Sequence, residues 1–132
     1  KVKSQKLENI VRFEGSVPAR RIPLYMAAAD VFFMPSDEEG FPHVLLEAMA
    51  TGTPLVASNV GGVAEIIPQE AKQYLCRPDD IACFAAHIRY FLSEKKELRG
   101  VLPTMLRNFV LRYDTALIAE YFADVIARRN EK

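Results

Sequence analysis

Residues 35–62, PSDEEGFPHVLLEAMATGTPLVASNVGG, constrain the fold more than any other part of the chain. They follow the continuous apolar run Val31, Phe32, Phe33, Met34, of the kind a strand needs when a parallel sheet is covered on both faces. An acidic loop with Gly40 comes next. Pro42 then suits the first helical position, where a missing N–H loses nothing. Val44, Leu45, Ala48 and Met49 form one apolar helical face, and Gly52 with Pro54 ends the helix. A second apolar strand, residues 55–57, leads to the pair Gly61-Gly62. Two carboxylates, Glu39 and Glu47, and a helix start thus fall at one end of adjacent strands, where open α/β sheets bind ligands.

The flanking sequence continues the alternation. Residues 10–14, IVRFE, read as a strand ending at Gly15, and residues 22–29 as a two-turn helix. Residues 63–67 read as a short helix stopped at Pro68, and residues 73–76 as a brief strand. Asp79 or Asp80 caps an amphipathic helix running to about Ser93, with Ile81, Phe84, Ala85, Ile88, Phe91 and Leu92 inward. Further helices are expected over residues 105–111, after Pro103, and over residues 115–129, where Leu117, Ile118, Tyr121, Phe122, Val125 and Ile126 make an apolar stripe. The expected fold is α/β, a three-layer Rossmann-like parallel sheet with helices on both faces and right-handed crossovers. Three or four strands are few for such a sheet, so residues 1–132 are expected to be one incomplete domain with a strand–helix unit missing upstream.

Composition narrows the partners. Seventeen basic and seventeen acidic residues cancel, which gives no overall field for nucleic acid or an anionic membrane. The first residues are charged and polar, unlike a signal peptide, and no apolar run has spanning length. Cys76 and Cys83, without an evident set of metal-ligand partners, read as buried or idle thiols in a reducing compartment.

At the helix start Phe41 takes the expected N-cap position and is no capping side chain. The unpaired donors would be the His43 and Val44 amides, where roughly half a positive charge favours an anion. Glu47, in the second turn, suits the vicinal hydroxyls of a ribose, since a carboxylate accepts two hydrogen bonds. Gly40 permits close approach of backbone to a sugar, and Gly15–Ser16–Val17 and Ser58–Asn59 expose small polar groups at neighbouring strand ends. Blander readings stand beside these. Asp37, Glu38 and Glu39 also read as a solvated acidic loop, Glu47 and His43 as surface residues, Arg20-Arg21 as a solvated helix start, and Gly61-Gly62 as a tight turn.

Together VRFEGSVP, LYMAAADVFFMPS, EEGFPHVLLEAMATGTPLVAS and VGGVAEII resemble the C-terminal domain of family-4 retaining glycosyltransferases of the GT-B fold. The Glu39-x7-Glu47 element, with GFP after its first acid and LEAMA around its second, carries that resemblance. It implies a domain binding a nucleotide-diphosphate sugar, UDP-, GDP- or ADP-linked. Glu39 would lie against the donor sugar as the catalytic residue, and Gly40, Phe41 and Pro42 would shape the sugar pocket. The backbone of His43 and Val44 would meet the diphosphate, Glu47 the ribose, and Ser16 and Val17 the base. A hexosyl group would pass to an acceptor with retention, without an obligatory metal or other cofactor. The resemblance also implies that a basic pair for the diphosphate, a Gly-rich turn and the acceptor-binding N-terminal domain lie outside these residues. The isolated chain is therefore expected to be inactive, with its last helix docking either on the incomplete sheet or on another copy in self-association, and the parent to be cytoplasmic, with any membrane contact made through the N-terminal domain. The competing expectation is a non-catalytic nucleotide-binding or assembly module of the same fold. An oxidoreductase is disfavoured because no G-x-G-x-x-G follows a strand.

Overall fold

The computed structural model describes residues 2–93 and 98–111, with side chains from residue 101 onward in the last segment. Its elements are α1 (Ile22–Ala28), β1 (Phe32–Met34), α2 (His43–Thr51), β2 (Leu55–Ser58), α3 (Val63–Ile66), β3 (Leu75–Cys76), α4 (Ile81–Leu92) and α5 (Leu98–Val110), with short 3-10 turns at Lys3–Gln5, Ala19–Arg21 and Gln69–Tyr74. The strands form one parallel sheet in the order β1-β2-β3. The fold is α/β and Rossmann-like.

Register fixes which side chains share a face. Phe33 pairs with Val56, and Ser58 with Cys76. Because side chains alternate along a strand, Phe33, Val56, Ser58 and Cys76 look to one side. The Phe33 ring meets Phe84 of α4 edge-on, with centroids 5.3 Å apart, so α4 covers that side. The core gathers Leu45, Leu46 and Met49 of α2, Leu55, Val56 and Ala57 of β2, Val63 and Ile66 of α3, and Leu102, Leu106 and Val110 of α5.

Helix α2 ends as its sequence specifies. Gly52 adopts φ +74°, and its N–H donates back to Ala48 and Met49 carbonyls. Arg107 of α5 donates from Nη2 to the Thr51 carbonyl at 2.7 Å, a cation at the negative end of the helix dipole. Buried Thr53 just beyond donates from Oγ1 to the Met26 carbonyl at 2.7 Å, joining α1 to the end of α2.

Several expectations are corrected. Residues 10–14 form no strand: no described segment pairs with them, and Ile10 and Phe13 are 79% and 80% exposed. Three strands are therefore present among the described residues. The third begins only at Leu75, because Gln69–Tyr74 winds into a 3-10 turn after Pro68. On α4 Phe84 and Phe91 are buried, whereas Ile81 and Leu92, at the two ends of the helix, are 79% and 51% exposed. Pro103 lies inside α5 rather than before it. One backbone bond is lost there, and the stripe Leu102, Leu106, Val110 keeps the helix on the core. The helix expected over residues 115–129 lies outside the described residues.

Replacing Thr53 by Val removes one of two donors to the Met26 carbonyl, the Ala29 N–H remaining at 3.0 Å, and is expected to cost about 0.5–1.5 kcal/mol of stability. Urea denaturation checks this, and an unchanged midpoint would contradict it.

Candidate functional site at the start of helix α2

The acidic loop is built on backbone contact. Gly61, at φ +48°, packs so closely that a Cβ there would stand 1.7 Å from the Glu39 carbonyl oxygen, and one at Gly62 would stand 2.3 Å from that of Gly40. The Gly62 N–H donates to the Glu39 carbonyl at 3.3 Å. The turn after β2 thus holds the loop after β1 in place. The sequence reading had given this pair only a tight turn, because nothing local marks a glycine that faces a segment far away in the chain. Glu39 itself is half-buried, and its Oε1 accepts from Ser36 Oγ at 2.7 Å.

Helix α2 starts one residue later than expected. Pro42, with ψ 93°, is the N-cap and His43 the first helical residue. Neither Phe41 nor Pro42 carries a side-chain acceptor, and no side chain caps the helix. The Leu45 N–H turns back to the Pro42 carbonyl at 3.0 Å, which leaves the His43 and Val44 amides at the open end. Phe41 is 51% exposed and meets the His43 ring edge-on at 5.3 Å. Val44 packs partly against the core. No atom stands within 4 Å of where a Cβ on Gly40 would lie.

Glu47 follows His43 by one helical turn, so the two share a face. Burial pushes the Glu47 carboxyl above its ordinary value of 4.5, and the nearby His43 pulls it partly back. A group whose folded-state value is raised favours the native state most below its unfolded value and loses that contribution as pH rises through the folded one. An ionised Glu47 is therefore a strained occupant of this spot at neutral pH.

Glu39, Gly40, Phe41, Pro42, His43, Val44 and Glu47 come together on one loop and helix start. Ser16 and Val17 are placed differently from expectation: they follow an exposed coil rather than a strand end, whereas the loops after β1 and β2 do follow strands. That coil is tied to α1 through Tyr25 Oη, which donates to Glu14 Oε2 at 3.0 Å. Arg12 pairs with Glu14, and Arg21 lies 5.9 Å over the Tyr25 ring.

The cysteines are also corrected. Cys76 and Cys83 form a disulfide, with Cα atoms 5.9 Å apart, rather than standing as idle thiols. The turn capped by Asp80, whose Oδ1 accepts from the Cys83 N–H at 2.9 Å, brings the start of α4 back over the end of β3. His87 joins them, with ligand atoms of all three residues within 4.8 Å of one another. The sequence reading found no metal-ligand set here; the signal it passed over is the four-residue interval from Cys83 to His87, which puts both on one helical face. Among the described residues, no helix is long and apolar enough to cross a membrane.

Open parallel α/β sheets bind ligands beyond the carboxyl ends of their strands, where the open start of α2 lies here. The chain belongs to the family described as Glycosyl transferases group 1, whose model matches residues 1–102. It is similar to sulfoquinovosyl transferase SQD2 of Arabidopsis thaliana, at 35% identity over 105 residues, covering 77% of this chain and 20% of that protein. It is 32% identical over 123 residues to glycogen synthase of Mycobacterium tuberculosis, covering 92% of this chain and 30% of the relative. With amylovoran biosynthesis glycosyltransferase AmsK of Erwinia amylovora the identity is 37% over 128 residues, covering 92% and 31%. The chain thus spans between a fifth and a third of these relatives' lengths. No solved structure is a significant match.

Two outcomes follow. Gly61→Ala is expected to displace the Glu39 loop, because both the close contact and the positive φ oppose a side chain; faster amide exchange at Gly62 than in the unchanged protein would register it. Glu47→Gln removes a desolvated charge, so it is expected to raise the melting temperature at pH 7 while leaving it nearly unchanged at pH 4. An equal effect at both pH values would show that ionisation is not the cause.

Proposed function

We propose that this chain is the donor-binding part of a family-4 retaining glycosyltransferase of the GT-B class, acting within a longer parent that supplies the acceptor-binding N-terminal domain. The observation that carries the reading is the uncapped start of α2, with Glu39 in the loop before it and half-buried Glu47 behind it. In this reading the diphosphate of a UDP-, GDP- or ADP-linked sugar lies on the His43 and Val44 amides. The roughly half positive charge of the helix start stabilises it there. Two ribose hydroxyls donate to Glu47 and replace the solvation that burial has removed. Glu39 lies against the donor sugar, Gly40 leaves room for the ring, and Phe41 and Pro42 form its wall. Ser16 and Val17 border the base.

The bond that breaks joins the anomeric carbon to a diphosphate oxygen, and the bond that forms joins that carbon to an acceptor hydroxyl oxygen on the same face, whose proton passes to the departing diphosphate. Charge grows on the departing diphosphate, where fixed amide dipoles act without reorganising. The names of the relatives, a sulfoquinovosyl transferase, a glycogen synthase and a 2-deoxystreptamine glucosyltransferase, span different sugars and acceptors. That range favours a shared donor half and leaves the transferred hexosyl group to be found by assay. Without a basic pair and an acceptor wall, the 132 residues by themselves are read as inactive.

In the parent protein, Glu47→Ala is expected to weaken UDP, GDP or ADP binding by about 1.5–3 kcal/mol, the value of a hydrogen bond to a charged group. Calorimetry checks it, and unchanged affinity removes Glu47 from the site. Glu39→Ala is expected to keep nucleotide affinity and lose most turnover. Equal losses in both would reassign Glu39 to binding.

A further inference from the structure

The cluster at the junction of β3 and α4 lies outside the proposed donor site and has its own chemistry. Cys76 closes β3, Cys83 stands in the first turn of α4, and His87 follows one turn later. Their two sulfurs and an imidazole nitrogen lie within 4.8 Å of one another. Ligands on one tetrahedral zinc, at bond lengths of about 2.0–2.3 Å, stand roughly 3.5–3.8 Å apart. Small side-chain rotations therefore separate the present arrangement from a coordinating one.

We propose that reduction of the Cys76–Cys83 disulfide creates a zinc site held by Cys76, Cys83 and His87, its fourth position open to water or an outside ligand. A dithiol takes the disulfide to two thiols and is itself oxidised to a cyclic disulfide. Zinc then displaces the two thiol protons to solvent, and neutral His87 gives a ring lone pair while keeping its N–H.

Several features favour this. Thiolates with imidazole suit zinc and not magnesium or calcium, which prefer oxygen. The positive end of α4 favours the thiolate of Cys83, and Asp80 fixes that turn through the Cys83 amide. The Tyr74 ring stands edge-on to His87 at 5.5 Å and limits its rotation. Ser58, beside Cys76 in the sheet register, has a fully buried hydroxyl with no partner among the described residues. Cys83 and His87 are half-buried, which leaves a route for reductant and metal.

The test titrates the whole chain with zinc after anaerobic dithiol reduction and removal of the reductant, against a chromogenic chelator, and repeats it with cobalt to read thiolate-to-metal charge transfer. One zinc per reduced chain is expected, and none per oxidised chain. His87→Gln spares the disulfide, so its fold is checked by an unchanged oxidised melting curve. It is expected to weaken zinc at least as much as the about 10–100-fold lost when a partner hydrogen-bonded to a metal ligand is removed. Zinc affinity unaltered by His87→Gln, equal uptake by the oxidised chain, or a reduced chain that loses its structure without binding zinc would each overturn the proposal and leave a purely structural disulfide.

Discussion

The approach of the Gly61-Gly62 turn to the backbone of Glu39 and Gly40 is the contact on which the rest of the site depends. A side chain at either glycine would overlap a carbonyl oxygen, at 1.7 Å and 2.3 Å. The acidic loop therefore stands where it does because of what is missing from a turn in another segment. Parallel pairing of β1 with β2 brings those turns to the same sheet edge, and the amide of Gly62 completes the link.

Helix α2 carries this arrangement into electrostatics by having unlike ends. Its C-terminal carbonyls are met by Gly52, Arg107 and the hydroxyl of Thr51, which donates to the Ala48 carbonyl at 2.8 Å. Its N-terminus has no side-chain cap. A helix kept only for stability gains about 1 kcal/mol from a capping residue, and this one forgoes that while keeping a desolvated acid one turn further in. Both features oppose stability, and they are what the proposed donor site would use, the amides for an anion and the carboxylate for hydroxyl donors.

What was legible in the sequence follows from how local each determinant is. β1, α2, β2 and the Asp80 cap were readable because apolar runs, Gly52 and a capping acid act within a few residues. IVRFE was misread because strand propensity describes a side-chain fit and supplies no neighbour; Ile10 and Phe13 are left outside. The α2 boundary shifted by one because proline's fixed φ serves an N-cap as well as a first helical residue. The roles of Gly61, Gly62 and Arg107, and the meeting of Cys76 with Cys83 and His87, depend on tertiary proximity, which spacing alone encodes weakly.

The hydroxyl of Ser36 has a consequence for how Glu39 can be approached. With Oε1 accepting from Ser36 at 2.7 Å, the carboxylate turns one oxygen inward and offers Oε2 as its unencumbered edge. An incoming hydroxyl meets a monodentate acceptor of set direction. A forked guanidinium, which takes both oxygens at once, would have to share Oε1 with the serine, so the loop sorts its visitors by geometry as well as by charge.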